Sequence, residues 1–144
     1  MSDQTPTGLF DRARFRHWRR EAFRFLDTDA QGHINNLAIG AVAENSRSFF
    51  MGEVVKPALE DAGLLVAVRV TANFRQELFF PGEVDVGTTV EKLGGSSLTL
   101  GQGLFGASGC AATVETVLVL LDATTRRPKP WPDAVRERLA PWLL

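Results

Sequence analysis

One cysteine, Cys110, stands among 144 residues, so the chain can form no internal disulfide and no cysteine-based metal cluster. Neither charge is in excess. Sixteen Lys and Arg face 17 Asp and Glu, which argues against the broad basic surface that nucleic-acid binding requires. Long hydrophobic runs are missing as well: no uninterrupted apolar stretch approaches a membrane span. The small, polar residues Met1 to Gly8 lack the apolar core of a secretory signal. A cytoplasmic location is the expectation that remains. The length suits one compact domain with a real core and leaves no room for a second.

The segment Leu9 to Arg20 interleaves Phe10, Phe15 and Trp18 with Arg12, Arg14, Arg16, Arg19 and Arg20. Asp11 and Glu21 break the charge run, so residues 1–18 read as an exposed N-terminal arm, followed by a single domain over residues 19–144. Phe23 and Phe25 flank Arg24, the pattern of a short strand over Glu21 to Leu26. From Asn35 or Asn36 to about Met51 there is no proline and no alternation. Leu37, Val42, Phe49 and Phe50 lie there among small residues, with Glu44, Arg47 and Ser48 as polar exceptions, which predicts a largely buried helix. Gly52 is its expected stop, and Lys56 to Gly63 reads as a loop with one helical turn.

Beyond Gly63 the period changes. Val68, Val70, Ala72 and Phe74 alternate with Arg69, Thr71, Asn73 and Arg75, predicting a half-buried strand within Leu64 to Phe80. Pro81-Gly82 and Gly94-Gly95 mark tight turns. Between and after them lie strands over Glu83 to Leu93, Ser97 to Phe105 and Ala111 to Asp122. The prolines at 128, 130 and 132 lead off the sheet into a terminal helix over Pro132 to Leu139. Short connections imply antiparallel neighbours, and one helix must cover one sheet face. The fold class is α+β: a curved antiparallel sheet wrapped around a long central α-helix.

The most informative stretch is Asp27-Thr28-Asp29-Ala30-Gln31-Gly32-His33-Ile34-Asn35-Asn36. It packs two carboxylates, an imidazole, a glycine and two carboxamides between a strand-like and a helix-like run. The asparagines suit a helix N-cap, and a helix start offers unpaired amides and a positive dipole end to a developing negative oxygen. Asp29 could serve as general base or as nucleophile; the plainer role for such a carboxylate is to satisfy turn amides. Asp27 reads as a turn-former. Glu44, in mid-helix, is a competing carboxylate, although a buried glutamate more often pairs with an arginine such as Arg47. No metal or redox cofactor is implied.

In its order of elements and in this segment the chain resembles the hotdog-fold acyl-CoA thioesterases of the 4-hydroxybenzoyl-CoA thioesterase-like group. Their signature is Asp-x-Asp-x-x-Gly-His-Val-Asn-Asn, here with Ile34 in place of valine. Weaker matches are Phe74-Arg75, Pro81-Gly82-Glu83-Val84, Leu93-Gly94-Gly95-Ser96-Ser97, Leu121-Asp122 and Thr125-Arg126-Arg127-Pro128. The resemblance implies hydrolysis of acyl-CoA to free acid and CoA. Asp29 becomes the catalytic carboxylate and the backbone N–H near Asn36 the oxyanion donor. His33 would orient Asp29 or the substrate carbonyl, or simply bond to backbone. Gly32 lets the turn approach a ligand, Asn35 caps the helix, and Phe74 is either core or a wall of the acyl pocket. Arg126 and Arg127 would meet coenzyme A phosphates or form a solvated tail.

Coenzyme A enters as part of the substrate, with no separate cofactor. The partner is a second copy of the chain, as a homodimer or homotetramer with the site at the subunit seam. Where relatives often carry aromatics after the paired asparagines, this chain has Leu37-Ala38-Ile39-Gly40, so the acyl group cannot be carried over. The rival readings are a hotdog acyl-CoA hydratase or dehydratase, and a non-catalytic acyl- or partner-binding hotdog domain.

Overall fold

The computed structural model describes residues 8–60 and 63–143. The first seven residues of the expected arm, two in the loop before Gly63 and the last residue of the expected domain lie outside the described residues. Five strands form one antiparallel sheet in the order β1-β3-β4-β5-β2. They are β1 (His17–Ala22), β2 (Leu64–Phe74), β3 (Glu83–Leu93), β4 (Ser97–Gly106) and β5 (Gly109–Leu121), with α1 (Asn36–Phe50), α2 (Lys56–Leu59) and α3 (Asp133–Leu139). The curved sheet and its long helix are those expected of a hotdog fold.

Alternation along β4 shows why the sheet has two different faces. Leu98, Leu100 and Leu104 are buried with residues of α1 and the chain that follows it, while Phe105 packs on the opposite face with Leu9 and Phe15. On the helix side the core has two apolar clusters. One, around Ile39 and Ala43, gathers Phe23, Ile34, Val84, Val86 and Leu104. The other, around Phe50 and Val55, includes Leu98, Leu120, Val135 and Leu139.

Between these clusters lies a polar belt that the alternation did not reveal. Gln102 donates from Nε2 to the Ala43 carbonyl at 2.9 Å and to Thr88 Oγ1 at 3.1 Å. Arg47 donates from Nη1 to Thr116 Oγ1 at 3.0 Å. All these side chains are buried, and Ser46 Oγ and Gln102 Oε1 have no hydrogen-bond partner among the described residues. A buried polar group left unpaired costs about 1–3 kcal/mol, so the belt is a local weakness between two apolar blocks.

Several expectations require correction. The first strand is His17–Ala22 rather than Glu21 to Leu26, because the chain turns after Phe23: the Arg24 N–H donates to Asp27 Oδ2 at 2.8 Å and closes a 3₁₀ turn over Phe25–Asp27. β2 ends at Phe74, since the N–H groups of Arg75 and Gln76 both donate to the Ala111 carbonyl. The central helix does not stop at Gly52; a π turn over Met51–Val55 carries it into α2 and keeps Met51, Val54 and Val55 buried.

Nor is the helix largely buried. Only one face is covered, leaving Leu37 81% exposed and the Glu44 side chain 75% exposed. Phe49 is exposed too, and Phe74 is 48% exposed; on the helix-side face of β2 the core covers Leu65 but not the Phe74 end.

The N-terminal segment is not a solvated arm throughout. Leu9 and Phe15 are buried on the outer sheet face beside Phe105 and Cys110. Glycines make this possible: a Cβ on Gly103 would stand 2.4 Å from the Leu9 carbonyl oxygen, and one on Gly87 2.5 Å from Phe15. Arg14 adds an ion pair to Glu91 at 3.0 Å. No helix among the described residues is long and apolar enough to cross a membrane.

Candidate active site

Chain between the 3₁₀ turn over Phe25–Asp27 and α1 folds into a tight polar loop. Thr28 and Ile34 face each other across an antiparallel bridge, and the Asp29 N–H donates to the His33 carbonyl at 2.8 Å. The return needs a left-handed residue, and Gly32, at φ +86°, supplies it without a Cβ penalty. Asp29 Oδ1 accepts from the N–H groups of Gln31 at 2.9 Å and His33 at 3.1 Å. That leaves Oδ2 with no protein partner among the described residues, on a solvent-exposed side chain.

The two carboxylates of the loop are thus in different situations. Asp27 is buried and accepts from Arg24 Nη2 at 2.8 Å as well as from its backbone N–H. The hydrogen bonds from the Arg24 side chain, then its backbone, hold the Asp27 carboxyl below the usual carboxylate range. Asp27 fastens the loop, and Asp29 remains accessible.

Asn35 caps α1: its Oδ1 accepts from the Leu37 N–H at 2.8 Å, and its carbonyl takes the N–H groups of Ala38 and Ile39. The Asn36 N–H makes no hydrogen bond among the described residues. Asn36 borders a cavity of about 390 Å³ whose lining also includes Asp29, His33, Ile39, Phe74 and Leu78. A residue with an accessible carboxylate and one with an unused helix-start amide therefore line one space, an arrangement able to present an oxygen to a carbonyl and to receive the resulting charge.

Other candidates fall differently. Asn35 joins the same cavity lining, and Gly32 shapes the loop beside it. The His33 ring lies with Nε2 3.4 Å from Glu77 Oε1 and edge-on to Phe79 at 5.2 Å; its tie to Asp29 is through backbone. Arg126 and Arg127 sit in the turn after β5, where the Arg126 N–H donates to the Asp122 carbonyl. Phe74 pairs with Ala112, and Leu64 with Leu121, so this turn lies roughly 30 Å along β5 from the cavity of the same protomer. Glu44 points outward, with Oε2 3.8 Å from Arg47 Nη2.

Sequence reasoning missed Gln76, Glu77 and Leu78, which line the cavity and which it assigned to the end of β2. No cluster of three or more His, Cys, Asp or Glu able to hold a metal occurs among the described residues.

Residues 23–139 match the model of the thioesterase-like superfamily. The chain belongs to this superfamily. Its fold is similar to that of a thioesterase from Thermus thermophilus complexed with coenzyme A and Zn, at 31% identity over 87% of this chain and 98% of that one, with a TM-score of 0.77. A predicted thioesterase from Bacillus stearothermophilus is 26% identical over 88% of this chain and 96% of that one, with a TM-score of 0.79. A Staphylococcus aureus protein in complex with CoA shares the fold at 16% identity, with a TM-score of 0.80 and coverage of 88% and 83%. No curated protein matches the chain significantly.

Proposed function

We propose that the chain hydrolyses acyl-CoA thioesters to a free acid and coenzyme A, with Asp29 as the catalytic carboxylate. The observation that carries this reading is the shared cavity of Asp29 and the free Asn36 N–H, in a chain of the thioesterase-like superfamily. The similarity to a thioesterase complexed with coenzyme A supports coenzyme A as the thiol half of the substrate.

Chemistry follows from the geometry. The thioester carbonyl oxygen accepts from the Asn36 N–H at the positive end of α1, where charge developing on that oxygen is stabilised. Asp29 presents Oδ2, either removing a proton from the attacking water or attacking the carbonyl itself to give a mixed anhydride that water then opens. In both routes the C–S bond breaks, the sulfur leaves as a thiolate that takes up a proton, and water supplies the oxygen of the new acid.

A homodimer is part of this reading. β2 is an edge strand with Val68, Val70 and Phe74 exposed beside a single charge, Arg69, whereas the other edge, β1, carries Arg19, Arg20 and Glu21, charges that discourage pairing. Antiparallel pairing of two β2 strands about a two-fold axis would lay the Leu64 end of one protomer beside the Phe74 end of the other. Arg126 and Arg127 would then approach the partner's cavity, where coenzyme A phosphates would be met.

The test is a panel of acyl-CoA thioesters with release of free thiol as the readout, together with sedimentation at micromolar concentration. Thiol release from at least one member and a dimer mass are expected. A silent panel would remove the hydrolase reading, and a monomer would remove the shared site.

A further inference from the structure

The β2-facing flank of α1 forms one wall of a groove that leaves the candidate site and ends at a buried charge. Helical periodicity places Asn36, Gly40, Ala43, Glu44 and Arg47 on this flank. Contacts agree: Asn45 donates to Glu21 and Phe49 lies under Arg19 on the β1 side, while Arg47 reaches Thr116 on β5. The floor is the helix-side face of β2, with Val70, Ala72 and Phe74 opposite Thr116, Val114 and Ala112. Midway along the wall, a Cβ on Gly40 would meet nothing within 4 Å.

Arg47 is only 9% exposed, and its pairing is incomplete. One N–H is used on Thr116, out of the five that a guanidinium carries. The Glu44 oxygen stands at 3.8 Å, beyond hydrogen-bond length. Burial pulls the guanidinium below the usual arginine range, against the opposing charge of Glu44. A helical Cα–Cβ bond tilts toward the helix N-terminus, and Arg47 Nη2 lies nearest Glu44, about one turn closer to that end, which sets the guanidinium on the candidate-site side of its own turn. The strand between Ala112 and Thr116 measures about 13 Å, the reach of a medium-length acyl chain starting at the Asn36 end.

We propose that Arg47 is a specificity-determining residue that receives a carboxylate at the far end of the acyl chain, making medium-length acyl-CoAs with a terminal carboxylate the preferred substrates. The placement of the acyl carbonyl rests on the hydrolase reading above. Apolar floor and glycine wall suit the methylene run, and the planar fork of arginine matches a carboxylate through two parallel hydrogen bonds.

The experiment compares acyl-CoA pairs of equal length that end in a methyl or in a carboxylate. For the native protein, kcat/KM should favour the carboxylate member by about tenfold or more, chiefly through KM. Arg47→Met should collapse that ratio, and Arg47→Lys should restore part of it. Binding is read separately with non-hydrolysable thioether analogues of the same pair, which needs no variant and no turnover. If neither thioester is hydrolysed but the carboxylate analogue binds about tenfold tighter, the hydrolase reading falls while the groove stands. Equal kcat/KM and equal affinity within the pair, as when a second copy of the chain fills the groove, would overturn the proposal. So would a preference that survives Arg47→Met.

Discussion

Asp29 and His33 are tied to each other twice: the Asp29 N–H donates to the His33 carbonyl at 2.8 Å, and the His33 N–H donates to Asp29 Oδ1 at 3.1 Å. This reciprocal pair fixes the carboxylate by one oxygen and leaves the other without a protein partner among the described residues, on a residue that lines the cavity. It depends on the left-handed turn at Gly32.

Gly32→Ala tests that dependence. The new methyl would meet nothing within 4 Å, so its cost is backbone strain of about 1–2 kcal/mol. If the turn relaxes, the carboxylate moves, and misplacement of about 1 Å can cost on the order of 100-fold in rate. Urea unfolding and kcat measured on the same sample should show a modest stability loss beside a large rate loss. A stability loss with full kcat would mean that the turn does not position Asp29.

The Arg24–Asp27 pair should make stability depend on pH. The folded-state carboxyl of Asp27 is held below its ordinary value by hydrogen bonds from the Arg24 side chain and backbone. Its contribution is therefore complete above the unfolded value, about pH 4, and is lost as the pH falls through the lower folded value. Asp27→Asn, which mimics the protonated acid, should lower the Tm near pH 7 and converge on the native protein in strong acid. A difference in Tm that stays constant into strong acid, about pH 2 and below, would contradict this assignment.

Much of this was legible in the chain. Leu98, Leu100 and Leu104 alternate as a strand must, and Gly94-Gly95 announces a turn, so the β3-β4-β5 meander follows from period and punctuation; β2 does not pair with β3 across Pro81-Gly82, as short connections implied, but lies at the far edge beside β5. The loop from Asp27 to Asn36 declared itself by polarity that a fold alone does not need. What failed has physical causes. Phe15 looked like part of a solvated basic arm because nothing local marks Gly87 and Gly103 as the floor of a trough. Phe25 looked like a strand residue because the cap from Asp27 to the Arg24 N–H is a contact, not a pattern. Phe74 and Leu37 looked like core because hydrophobicity does not say whether a covering surface exists: both are exposed among the described residues.

The N-terminal segment should matter for stability and little for catalysis. Phe15 is buried on the outer face, with its ring edge-on to Phe105 and Trp18 at 6.0 and 5.6 Å. Phe15→Ala should cost about 3 kcal/mol or more in urea unfolding, with kcat near that of the native protein, because the sheet separates this residue from the cavity. A large loss of kcat at full stability would show that the segment acts on the site.

The polar belt predicts non-additivity. Gln102→Leu removes the bonds to Thr88 and to the Ala43 carbonyl and should destabilise by about 1–2 kcal/mol, whereas Gln102→Leu with Thr88→Val should recover the part owed to Thr88, since replacing both partners by apolar groups can be nearly neutral. A double-mutant cycle by urea unfolding measures the coupling. Strict additivity would show that the two side chains do not depend on each other.

Asp29→Asn carries the central claim. Asparagine keeps the oxygen that accepts from the Gln31 and His33 N–H groups, so the loop and the melting temperature should be retained while the carboxylate's chemistry disappears. With the best acyl-CoA substrate of the panel, kcat from thiol release should fall by about 10²–10⁴-fold. A folded Asp29→Asn protein with the native kcat would contradict the account.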